Sequence, residues 1–157
     1  MKRLHIHIGV DNLDASIHFY TGLFGAPPVK TKPDYAKWLL DDPRVNFAIS
    51  TRAQTKGVDH LGIQVEEEAE LVELRERLKK GNMEIADEGE TVCCYARSEK
   101  SWVQDPSGIA WEAYRTMEDV QVFSSQVDPA EGACCTPETK GKPGCCEPSE
   151  ETAGCCS

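Results

Sequence analysis

Apolar and polar residues alternate over residues 4–10. Leu4, Ile6, Ile8 and Val10 fall on one side, and His5, His7 and Gly9 on the other. A period of two predicts a strand with one apolar and one polar face. Asp11 and Asn12 offer a helix cap. Ile17, Tyr20 and Phe24 then recur at helical spacing, and Gly22 and Gly25 end that run. Pro27 and Pro28 break the chain. Strand-like runs follow at 36–40 and 45–50, joined by the turn Asp41, Asp42, Pro43, Arg44.

The same order then recurs. Residues 60–65 alternate, with Leu61, Ile63 and Val65 on one side and His60, Gly62 and Gln64 on the other. An acidic run at 66–70 opens a second helix with Leu71, Leu74 and Leu78 on its apolar face, and Lys79, Lys80 and Gly81 close it. Acids at the start and bases at the end suit the helix dipole. Short strands are predicted near 83–86, 91–96, 101–104 and 109–114, with a turn at Asp105, Pro106, Ser107, Gly108. His5 and His60 open the two copies at matching positions, and Asp42-Pro43 matches Asp105-Pro106. The reading is an α+β domain over 1–120. It has two βαβββ modules, about 3–50 and 58–116, joined in a cupped mixed β-sheet with the helices outside. Residues 128–157 contain no Leu, Ile, Val, Met or aromatic residue. Such a segment buries no core, so 121–157 is expected to be a disordered tail.

Composition narrows the partners. A net charge of −10 and a pI near 4.8 argue against nucleic acid and anionic membranes. No secretory leader is read, and no apolar run reaches the ~18 residues of a membrane helix, so the expectation is cytoplasmic. The 8 cysteines form adjacent pairs at 93/94, 134/135, 145/146 and 155/156. Neighbouring α-carbons lie about 3.8 Å apart and disulfides prefer roughly 4.4–6.8 Å, so bonding within a doublet is strained. Reduced vicinal thiols, which chelate soft centres, are the better expectation.

His5, His60 and Glu112 share the polar faces of their strands. Two imidazoles and a carboxylate suit iron with open positions, and equally zinc or manganese; the bland alternative is two structural histidines and a solvated acid. His7 lies on the His5 face and could orient a neighbour, touch substrate or replace a ligand. His18 reads as a surface residue. On a regular strand Cys93 and Cys94 point to opposite faces, so a loop or bulge is needed if both hold one atom. Arg97 to Lys100 reads as a loop placed to close over the site.

Phe19-Tyr20, Leu23-Phe24-Gly25, Asp105-Pro106, Gly108 and Glu112 resemble the module signatures of the vicinal oxygen chelate superfamily. Cys93-Cys94 ahead of Glu112, with a cysteine-doublet tail, resembles its non-haem Fe(II) carbon–arsenic lyases, which are grouped with cadmium-induced proteins. The resemblance covers about 3–116. It implies one Fe(II) held by His5, His60 and Glu112, with dioxygen as co-substrate. Cys93 and Cys94 would bind trivalent organoarsenicals, such as methylarsonite or reduced aromatic arsenicals, as thiolates, and C–As cleavage would release arsenite. The small molecule is the expected partner, and a homodimer accords with the superfamily. Cys134, Cys135, Cys145, Cys146, Cys155 and Cys156 would capture metalloid for the site. The first-module counterpart of Glu112 falls near Ala48 or Ile49, neither of which can ligate, and this argues against four-ligand glyoxalase chemistry. Two other readings stand: a thiol protein sequestering cadmium or arsenite, and a thiol transferase of the fosfomycin-resistance type.

Overall fold

The computed structural model describes residues 1–122. The elements are β1 (Arg3–Gly9), α1 (Leu13–Phe24), β2 (Lys30–Lys32), β3 (Tyr35–Asp41), β4 (Arg44–Ser50), β5 (Gly57–Val65), α2 (Glu68–Lys80), β6 (Ala86–Cys93), β7 (Ala96–Gln104) and β8 (Ala110–Asp119). They form one eight-stranded sheet in the order β2-β3-β4-β1-β5-β8-β7-β6. β1 runs parallel to β4, and β5 parallel to β8. The two modules meet at the antiparallel β1/β5 pair. The tail cysteines, Cys134, Cys135, Cys145, Cys146, Cys155 and Cys156, lie outside the described residues. No helix among those residues is long and apolar enough to cross a membrane.

Each helix covers the convex side of its own module. Asn12 caps α1 by accepting the Ala15 N–H at 3.0 Å, and Gly25 ends it in the left-handed region at φ 66°. Leu13 is buried with Trp38, Phe47 and Ile49, and Ile17, Tyr20 and Phe24 pack on them. In α2 the Glu70 carboxylate accepts the N–H groups of Glu66 and Glu67. Leu71 and Leu74 pack on Val65 and Ala113, while Leu78 is only half-buried. With both apolar cores on the convex side, the concave side is left to His5, His7, Asn46, His60, Lys100 and Glu112. These are buried all the same, because the curled sheet folds over them.

Two expectations are corrected, and one strand is added. The strand predicted near 83–86 begins only at Ala86 and runs on to Cys93 as β6, so it takes in the first half of the strand predicted near 91–96. Residues 97–100 are not a loop, because β7 begins at Ala96 and pairs with both β6 and β8. The reversal is confined to Cys94 and Tyr95, both at positive φ (56° and 60°), which is the signature of a two-residue type I′ hairpin. That turn usually recruits Asn or Gly, so its position is hidden in the sequence. β2 is a short strand that, among the described residues, pairs only with β3, and it has no hydrophobic pattern to announce it.

The sheet ends are drawn together across the cup. Lys30 donates to the Tyr95 carbonyl at 3.0 Å and pairs with Asp119, and the Tyr95 hydroxyl donates to Asp34. A second turn sets β8. The Asp105 carboxylate accepts the N–H groups of Ser107 at 2.8 Å and Ile109 at 3.0 Å. These donors, Ile109 foremost, hold its carboxyl below the usual range. A depressed carboxyl contributes stability above its unfolded pKa, and that contribution is lost as pH falls through the folded value. Asp105→Asn is therefore expected to lower the thermal midpoint at pH 7. The gap to wild type should narrow below about pH 4, in melts followed by circular dichroism.

Candidate metal and thiol site

The register aligns the candidate donors. His5 on β1 pairs with Gly62 on β5, and Gly62 pairs with Glu112 on β8. His60 sits opposite His7. Gly62 is required here, since a Cβ would come within 2.6 Å of the Glu112 side chain and 2.7 Å of its carbonyl oxygen. A bare backbone at this point lets Glu112 lie across β5 toward the imidazoles.

Each imidazole has its second nitrogen engaged. His5 Nδ1 donates to the Asn46 carbonyl at 2.9 Å, and His60 Nδ1 donates to Asp59 Oδ2 at 2.8 Å. Their Nε2 atoms face each other at 3.3 Å. Glu112 Oε1 lies 3.2 Å from His5 Nε2 and 3.6 Å from His60 Nε2. Donors about 2.1 Å from a shared ion stand roughly 3–3.5 Å apart, so this triangle fits a divalent metal. The other carboxylate oxygen, Oε2, meets Lys100 Nζ at 3.1 Å, and that ammonium lies over the Trp102 and Tyr114 rings.

Burial drives the His5 pKa down to about 3 against the pull of Glu112. His60 is also opposed by burial, but hydrogen bonds to Asp59 and Glu112 outweigh it and raise its pKa. Burial works against the charged form of Glu112 as well. Lys100 and the two imidazoles overcome that and keep the carboxylate ionised. A single proton or a cation is thus favoured among these donors, and His5 presents a neutral nitrogen ready to ligate.

The adjacent cysteines lie at the hairpin tip. Because the turn interrupts strand alternation, Cys93 and Cys94 bring their Sγ atoms to 3.1 Å, close enough for one atom to bridge. Cys93 is buried, and Cys94 packs against Tyr35, Ala48 and Tyr95. Both cysteines line the cavity that also holds His5, His60 and Glu112.

His7 lines the same cavity, bound through Nδ1 to Asp59 at 3.0 Å. Arg97 points to the surface and pairs with Glu90 and Glu118. Lys100, expected on a closing loop, is a buried strand residue bonded to Glu112. His18 is exposed on α1. Four contributors were not singled out from the sequence. Asn46 and Tyr114 left no signal. Asp59 was legible as the acid directly before His60, and Gly62 as the small residue two beyond it. The register also fixes the counterpart of Glu112. His7 pairs with Ala48 as Gly62 pairs with Glu112, so the position is Ala48 rather than Ile49.

Residues 2–113 match the family model described as Glyoxalase/Bleomycin resistance protein/Dioxygenase superfamily. The chain belongs to this superfamily. It is 42% identical over 165 residues to a trivalent organoarsenical cleaving enzyme of Bacillus sp. (strain MD1), with 100% of both chains covered. It is 36% identical to a trivalent organoarsenical cleaving enzyme of Thermomonospora curvata, covering 92% of this chain and 95% of that one. Identity to the cadmium-induced protein CadI of Mycobacterium tuberculosis (strain ATCC 25618 / H37Rv) is 35%, covering 80% and 83%. Among solved superfamily-like folds, a Mn(II)-bound glyoxalase from Novosphingobium aromaticivorans matches with TM-score 0.53 at 17% identity, over 82% of this chain and 44% of that one. A catechol 2,3-dioxygenase matches with TM-score 0.51 at 14% identity, over 86% and 47%. These two share the fold.

Gly62→Ala is expected to displace Glu112 while leaving both helices and their cores in place. Affinity for Co(II), measured by chelator competition, should fall about tenfold or more.

Proposed function

We propose that the chain cleaves the carbon–arsenic bond of trivalent organoarsenicals, with Fe(II) in the His5–His60–Glu112 site and dioxygen as co-substrate. The observation that carries this reading is the shared cavity, lined both by a close pair of adjacent cysteines at a hairpin tip and by a three-donor triad. The relatives named as trivalent organoarsenical cleaving enzymes support it.

The residues divide the work. Reduced Cys93 and Cys94 take the arsenic in exchange for its two hydroxyls, each of which leaves with a thiol proton as water. Sulfur is the natural ligand for so soft a centre. Two bonds to one rigid turn fix the arsenic and direct its third substituent, the organic group, into the cavity. When bound, Fe(II) supplies dioxygen activation, with three protein donors leaving positions open. Lys100 holds Glu112 so that only Oε1 faces the imidazoles. Tyr35, Tyr114 and Trp102 wall the site. Burial holds the two phenols well above their ordinary pKa, so they stay neutral.

A capture protein for cadmium or arsenite would need the thiols and have no use for the triad. Arsenite release from methylarsonite, by protein loaded with Fe(II) under reducing conditions, separates the two readings. Release is expected in air and absent under argon, and should drop at least about a hundredfold in Cys94→Ala and Glu112→Ala. Tight arsenical binding with no release under either gas would leave the capture reading in its place.

A further inference from the structure

His7 pairs with His60, but the next residue of β1, Ile8, pairs with Val58. Asp59 is the extra residue of a β-bulge. On an unbroken strand its side chain would face the convex side, opposite to His60. The bulge turns it inward. There Asp59 Oδ2 accepts hydrogen bonds from two rings, His60 Nδ1 at 2.8 Å and His7 Nδ1 at 3.0 Å. The ring centroids lie 4.8 Å apart. One oxygen accepting both Nδ1–H groups leaves both Nε2 atoms with lone pairs.

For His60, that lone pair belongs to the triad. The His7 Nε2 atom is buried and has no hydrogen-bond partner among the described residues. Buried acceptors without donors are rare, and each calls for an explanation. The repeat suggests one. In the second module the strand position is empty, at Gly62, and Glu112 fills the space from the neighbouring strand. In the first module the neighbour is short, at Ala48, and His7 fills the space from the strand itself. His7 therefore takes up room that the pseudo-two-fold would give to a second acid.

We propose that Asp59 is a positioning residue that locks His60 as a ligand and His7 as an acceptor, with His7 Nε2 receiving a hydrogen bond from a water on the metal. The inference rests on the metal reading of His5, His60 and Glu112. It assigns His7 a contact beside the metal and outside its protein ligands.

The test uses full-length protein loaded with Co(II). Its affinity is read by chelator competition, its visible spectrum reports coordination, and azide serves as the probe that displaces water. Asp59→Ala is expected to weaken Co(II) binding by about ten- to a hundredfold. His7→Phe should keep Co(II) affinity within about threefold and tighten azide binding by about three- to tenfold, because the displaced water has lost its acceptor. If Asp59→Ala does not fold, Asp59→Asn, which keeps the shape and the carbonyl acceptor but removes the charge, takes its place with a loss of about threefold or more.

Unchanged Co(II) affinity in the Asp59 variant, or unchanged azide affinity in His7→Phe, would overturn the proposal. So would a loss of metal in His7→Phe as large as that in His5→Ala, since His7 would then be a ligand. His5→Ala serves as the separate control. If it leaves Co(II) affinity untouched, the metal reading itself fails, whatever Asp59 and His7 do.

Discussion

A carboxylate with almost no exposure, Glu112, has to remain charged beneath two imidazoles. That requirement shapes the concave face. Lys100 offsets it from one side, and the imidazoles converge on it from the other. With Asp59 also ionised, two buried acids stand against one ammonium. The remaining negative charge calls for a proton on an imidazole or a cation among the three donors. Each supporting group follows from strand pairing. The Asn46 carbonyl reaches His5 because β1 and β4 run side by side, and Glu112 reaches over Gly62 because β5 and β8 do.

The two modules share an architecture and differ in how they fill it. The pairs His7/Ala48 and Gly62/Glu112 are complementary, with bulk on the inner strand in one and on its neighbour in the other. A fold built from a repeat thus yields a lopsided site, with the carboxylate on one side and, on the other, His7 beside the short Ala48, against which Cys94 packs. Were a metal held by His5, His60 and Glu112, this asymmetry would leave positions on it for other molecules.

Most of the frame could be read from the sequence, because alternation and helical spacing are local patterns. The matched His5 and His60 placed the repeat, and Glu112 among apolar neighbours marked the closing strand. The thiol turn could not be placed, because Cys94 and Tyr95 adopt left-handed backbone with neither Gly nor Asn to signal it. In the sequence Lys100 looks like part of a loop, since a charged run such as Arg97 to Lys100 reads as solvated unless a buried acid, here Glu112, stands opposite. The inward turn of Asp59 depends on one extra residue in a ladder, which no hydrophobic period records.

The clasp joining Lys30 and Asp34 to Tyr95 and Asp119 reaches beyond the closure of the sheet. Cys93 and Cys94 belong to the second module, yet the turn that bears them is tethered to a hairpin of the first. The gap between sulfur and triad is therefore gauged by how wide the half-barrel stands, a dimension fixed at its rim. Selection among molecules by size would then be exercised at that seam, by residues outside both the cysteine pair and the triad.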